Sequence, residues 1–308
     1  MPVEPVIQQY LDQLNALTLP PIDQVTPEQM RKSQELQVSE TGEEVAQVEN
    51  RLISLEDRNI PIRIYTPNGQ GPFPTLVFYH GGGWVFGSLN THDSICRFFT
   101  NYASCMVISV DYRLAPEHKF PAAVWDAYDS LHWVASHTKE LNIDVERIAV
   151  GGDSAGGNLA AVACLMAKER KSPSLCYQLL IYPSTGYEEI PQSMIENGQG
   201  YLLTTDFMRW FRDHYYRTEQ DQYNPYASPI LAKSLAGLPK ALVVTAQFDP
   251  LRDVGKAYAE RLRSFGVDVQ YRNYDTLIHG FANMYTFVPK AREALIYCSE
   301  QLKQAFYS

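Results

Sequence analysis

The chain has 308 residues, 45% of them hydrophobic, enough for a large buried core in one or two domains. Its net charge of −9 and the lack of any dense Lys/Arg run argue against a nucleic-acid partner, which needs basic patches against phosphates. Met1 to Tyr10 carries no basic residue, and no run approaches the roughly 18 apolar residues of a membrane span, so neither a signal peptide nor a membrane contact is expected, and a cytoplasmic location is.

The first 45 residues or so are polar but carry a helical period in Val6, Ile7, Tyr10, Leu11, Leu14 and Leu17. Thr26 before Pro27 marks a second helix start, a hydroxyl N-cap ahead of a proline whose missing N–H costs nothing there. Leu52–Leu55 and Ile60–Tyr65, separated by Glu56-Asp57-Arg58-Asn59, read as a β-hairpin. Beyond it, short β-rich runs alternate with longer helical patterns. The runs are Thr75–Tyr79, Met106–Val110, Ile148–Val150, Leu179–Tyr182, Ala241–Thr245 and Val267–Tyr271. The helical patterns lie near 91–103, 121–138, 157–169, 252–265 and 287–304. Nearly continuous apolar runs are what strands buried on both faces require. Their alternation with helices predicts right-handed βαβ units, a mostly parallel sheet and an α/β fold, with the hairpin adding antiparallel strands at one edge. The long stretch between Pro183 and Ala241, with the aromatic Thr204–Tyr216, follows a strand's carboxyl end, where α/β sheets bind ligands, and is expected to cover a pocket. The five cysteines are odd in number and scattered without a C-x-x-C pair; Cys105, Cys164 and Cys176 sit in apolar surroundings and read as core residues.

Two glycine-rich segments carry the chemistry. Gly151-Gly152-Asp153-Ser154-Ala155-Gly156-Gly157 contains G-x-S-x-G between a strand and a helical run. On such a tight turn the serine is exposed and strained, its neighbours must lack side chains, and the helix N-terminus favours negative charge. His80-Gly81-Gly82-Gly83-Trp84 follows the strand Thr75–Tyr79. Glycines let backbone N–H groups turn toward a ligand, and acyl transfer needs donors aimed at the developing oxyanion. Gly82 and Gly83, with the N–H of Ala155, are the candidate donors. Neither phosphate-loop pattern occurs there, and His80 is read as bonding its own loop.

A nucleophilic serine needs a base. With the chain order serine, acid, histidine, only His214 and His279 follow Ser154. His214 lies within the aromatic stretch, whereas His279 follows a strand end, so His279 is the candidate base. Asp249 is the first carboxylate after the run Ala241–Thr245 and the candidate acid; Asp253 reads as a first-turn charge or support residue.

Taken together, His80–Trp84, Gly152–Asn158, Asp249–Asp253 and His279-Gly280-Phe281 resemble the H-G-G-G-W, G-D-S-A-G-G-N, D-P-L-x-D and H-G-F motifs of hormone-sensitive-lipase-like esterases, a branch of the α/β-hydrolases. The segment Asp111 to Ala123 is also family-like and is read as a brace near the active site. The resemblance runs over about residues 45 to 305. It implies an eight-stranded sheet with an antiparallel second strand, a catalytic domain from 46–183 and 226–308, and a cap from 1–45 and 184–225. It implies a carboxylesterase acting on a small ester without cofactor or metal, as a monomer or homodimer, with short- to medium-chain substrates preferred. Trp84 and Phe281 are candidate pocket residues. An amidase or formamidase would share the constellation; a non-catalytic receptor on this fold would lack the histidine, which is present; a lipase would want a more apolar mouth than Arg209, Arg212, Asp213 and Arg217 provide.

Overall fold

The structure, a computed structural model, describes residues 1–18, 20–36, 38 and 42–307. Helices α1 (Pro5–Ala16) and α2 (Pro27–Leu36) precede strands β1 (Gln47–Ser54), β2 (Asn59–Thr66) and β3 (Phe73–Tyr79). Then come α3 (Asp93–Tyr102), β4 (Met106–Val110), α4 (Ala122–Ser136), α5 (Thr138–Leu141), β5 (Ile143–Asp153), α6 (Ala155–Arg170) and β6 (Tyr177–Ile181). Helices α7 (Gln192–Asn197) and α8 (Thr205–Tyr215) fill the long stretch before β7 (Lys240–Phe248), α9 (Arg252–Ser264), β8 (Val269–Ile278) and α10 (Pro289–Tyr307).

Among the described residues eight strands form one sheet in the order β1-β2-β4-β3-β5-β6-β7-β8, with β2 antiparallel to both neighbours and the rest parallel. This is the expected α/β architecture. The hairpin turn is tighter than the four residues expected: Leu55 N–H donates to Arg58 O at 2.8 Å, which leaves Glu56 and Asp57 between them, and Asn59 already pairs with Ser54. Strand β3 is buried along its whole length because helices cover both faces, and two apolar layers result, one on each side of the sheet. All five cysteines are free, and four are buried.

The N-terminal periodicity is realised as helix α1, which sinks Ile7 and Leu11 into one of those layers. Helix α2 begins with a reciprocal capping box: Gln29 N–H donates to Thr26 Oγ1 at 3.2 Å, and Thr26 N–H donates to Gln29 Oε1 at 2.9 Å. Arg31 then ties α2 to the body, donating to Val85 O, Ala115 O and both oxygens of Glu117. The segment after β4 is a brace, as expected. Tyr112 OH donates to His80 O at 2.7 Å, and Arg113 meets the fully buried Asp126 with two nitrogens, while Arg58 meets it from the hairpin.

Asp111 opens this brace with a half-buried carboxyl. Burial pushes its carboxyl up to about 6, with Glu35 adding to the shift and Arg63 opposing it. A folded value above the unfolded one means that the folded chain binds this proton more tightly, so the ionised group weakens the fold above pH 6 and the penalty fades as pH falls toward 4. Asp111→Asn is therefore expected to stabilise the protein by about 2 kcal/mol near pH 8 and hardly at all near pH 4, read from urea unfolding at the two pH values.

Candidate active site

Strand β5 delivers the backbone to Asp153 and α6 departs at Ala155, leaving Ser154 alone on the turn at φ +55°, ψ −116°. Such a conformation costs a non-glycine residue about 1–3 kcal/mol. It is held from three sides: Ser154 N–H donates to Ile181 O at 2.9 Å, and Ser154 O accepts from Asn158 N and Ser184 N. The helix starts earlier than its apolar pattern suggests, because Ala155, Gly156 and Gly157 form its first turn. A Cβ on Gly156 would stand 1.9 Å from Tyr79 O, so only glycine lets α6 pass this close to β3.

Strands β7 and β8 pair Phe248 with Ile278, and the next residue of each is Asp249 and His279. That register sets the two side by side. His279 Nδ1 lies 2.8 Å from Asp249 Oδ2, and His279 Nε2 lies 3.0 Å from Ser154 Oγ. Asp249 is fully buried, and its other oxygen accepts from Leu251 N–H at 2.7 Å. A carboxylate only accepts, so Nδ1 carries the imidazole proton and the Nε2 lone pair faces the serine hydroxyl. Of the remaining sequence candidates, His214 Nδ1 bonds Trp210 O within α8, and Asp253 pairs with Arg252 and accepts from Ser193 N–H.

The loop after β3 brings its glycines beside the serine. Gly82 (φ +112°) and Gly83 (φ +58°) both border a cavity that contains Ser154, and among the described residues their N–H groups donate to no protein acceptor. Ala155 is the first residue of α6, where an N–H has no partner within the helix. His80 is buried and bonds Gly81 O through Nδ1; burial, and then His92 nearby, push its imidazole down to about 3, so it stays neutral.

Two residues outside the sequence candidates hold this loop. Gly81 N–H donates to Asp153 Oδ1 at 2.8 Å, and His92 Nε2 lies 3.1 Å from the same oxygen. Burial pushes the Asp153 carboxyl up, but His92 and the Gly81 N–H more than offset this and leave it below its ordinary range. Asp153 stood inside the recognised motif without a role. No spacing in the sequence links it to His92, which reaches it only because β3 and β5 are neighbours.

Two cavities meet at Ser154. The first, about 510 Å³, is bordered by Ala155, Met194, Met208 and Val254; the second, about 470 Å³, by His279, Gly82, Phe86 and Asn283. Residues 76–283 match the family described as the alpha/beta hydrolase fold. The chain belongs to that family. It is 47% identical over 232 residues to the carboxylic ester hydrolase LipN of Mycobacterium tuberculosis, a match covering 73% of this chain and 62% of that protein. It is 42% identical to an arylesterase of Saccharolobus solfataricus, over 77% of this chain and 78% of the relative. Among solved structures, a hyperthermophilic esterase from the archaeon Pyrobaculum calidifontis superposes with a TM-score of 0.94 at 43% identity, covering 99% of both chains. The hormone-sensitive-lipase-like character read from the motifs agrees with these relatives.

Trp84 borders the first cavity of this α/β-hydrolase while its indole stacks on Tyr215 at 4.3 Å. Phe281 corrects an expectation. It is fully buried, packs edge-on against Tyr182 at 4.9 Å and borders neither cavity, because the short helical turn at Phe281–Met284 points it into the core. Among the described residues no group of three or more His, Cys, Asp or Glu is placed to hold a metal ion, and no helix is long and apolar enough to cross a membrane.

The strained turn gives a direct test. Ser154→Gly is expected to unfold at higher urea than Ser154→Ala, by about 1 kcal/mol, since both lose the hydroxyl but only glycine relieves the positive φ. The loop support gives another. His92→Ala is expected to lower kcat about tenfold through misplacement of the candidate donors with little change in KM, measured by steady-state kinetics.

Proposed function

We propose that this carboxylic ester hydrolase is a serine esterase that cleaves short- to medium-chain esters through an acyl-enzyme on Ser154. One observation carries the reading: the unbroken chain from Asp249 through His279 to Ser154, at 2.8 and 3.0 Å, ends on a serine shared by both cavities. His279 Nε2 takes the hydroxyl proton as Oγ attacks the ester carbonyl, and Asp249 holds the imidazole in the required tautomer and stabilises the imidazolium. The N–H groups of Gly82, Gly83 and Ala155 receive the oxyanion. The tetrahedral intermediate collapses as the C–O bond to the alcohol breaks and His279 returns the proton to the departing oxygen. Water then repeats the cycle on the acyl-enzyme, releasing the acid and restoring the serine.

The direction of that proton fixes how the ester lies. The leaving oxygen must come within reach of His279 Nε2, and His279 borders only the second cavity. The alcohol part therefore goes to the second cavity and the acyl part to the first. In this reading α1, α2 and the α7–α8 stretch form a cap, since Tyr10, Gln34, Ile195 and Phe211 wall the two cavities over the sheet. Free cysteines support action in the cytoplasm, and the enzyme works on its small ester as a monomer or homodimer.

Initial rates on nitrophenyl esters of rising acyl length test the reading. Wild type is expected to peak at short or medium chains, Ser154→Ala to fall to the blank, and Asp249→Asn to lose kcat by about 10⁴-fold. A wild type no faster than Ser154→Ala on every ester overturns it.

A further inference from the structure

The two cavities meet at Ser154, and few other side chains stand between them. Among the described residues, besides Ser154 and Gly83, only Leu203 and Phe211 border both. Both come from the stretch between β6 and β7, and both are buried, Phe211 at 9% and Leu203 at 6% exposure. The Phe211 ring sits directly over the candidate oxyanion loop: a Cβ on Gly83 would meet its Cδ1 at 2.1 Å. The ring is fixed by its neighbours. It stacks on Phe207 at 4.5 Å and leans on Phe86 at 5.4 Å and Trp210 at 5.5 Å, and Trp210 Nε1 donates to Val25 O at 3.1 Å. The wall between the cavities is thus anchored to the oxyanion loop and to the N-terminal segment at once.

We infer that Phe211, backed by Leu203, is the partition that confines the acyl and alcohol parts of the substrate to different cavities and sets the enzyme's selectivity for each independently. The inference rests on the ester orientation proposed above. A rigid ring between two binding spaces means that a change in one part of the ester is felt by one set of side chains only. The free-energy effects of two groups that share no contacts add, and those of groups that share a space do not. Removing the ring joins the cavities beside the reacting carbon, so a long alcohol then competes with a long acyl chain for the same volume.

Four esters test this: methyl and hexyl acetate, and methyl and hexyl hexanoate, each measured as kcat/KM. In wild type the effect of lengthening the acyl chain is expected to be the same for both alcohols within about twofold. In Phe211→Ala the two effects are expected to couple by about tenfold, and in Leu203→Ala by less. The Leu203 variant provides the same readout if Phe211→Ala is too unstable to assay. Strong coupling already in wild type, or additivity retained in both variants, overturns the partition. Failure of the catalytic reading looks different: hydrolysis by Ser154→Ala would then match wild type on all four esters.

Discussion

Everything at this site hangs on the close passage of α6 behind β3. With Gly156 pressed against Tyr79 O, the chain has no room to round the corner after β5 except through a positive φ at Ser154. That single constraint lifts the hydroxyl off the sheet. It also points the first N–H groups of α6 at the serine, so the proposed nucleophile and part of its proposed oxyanion environment are products of one turn. The cost is local backbone strain, offset by three backbone hydrogen bonds to Ser154 and by the packing of a helix whose first thirteen residues are all buried.

The sheet distributes the other parts. Parallel strands deliver their carboxyl ends to one edge, so β3 contributes the glycine loop, β5 the serine, β7 the aspartate and β8 the histidine. The pairing of Phe248 with Ile278 matters most, because a slip of one residue would turn Asp249 away from His279. Behind this edge lies a second tier of polar contacts. Asp153 and His92 hold Gly81, and Tyr112 holds His80, so the loop proposed to supply donors is restrained from both sides before any substrate arrives.

Coverage of the site comes from elements outside the sheet. The aromatic helix α8 lowers Phe207 and Phe211 onto Phe86, while Lys119 reaches across to Asp213 O and Tyr216 O. These contacts tie the stretch between β6 and β7 to the loop after β3 and to the braced segment after β4, so the walls of both cavities share supports with the proposed oxyanion loop.

The amino-acid sequence by itself determined the alternation of strands and helices, the strand–turn–helix around Ser154 and the places of Asp249 and His279 just after two strands. Each is written in local patterns: apolar period, glycine spacing and position after a strand. It also specified the Thr26 cap, since a capping box needs only side chains three residues apart. Only the tertiary structure decided that Phe281 is core, that Asp153 is met by His92, and that Phe211 stands between two cavities. Those facts depend on neighbours far apart in the chain, brought together by strand order and by helix packing, and no local period encodes them. The histidine beside Gly280 could be picked out by its place in the sequence; the phenylalanine after it could not, because whether a ring faces a pocket or a core is settled by the turn that carries it and by the tyrosines it finds there.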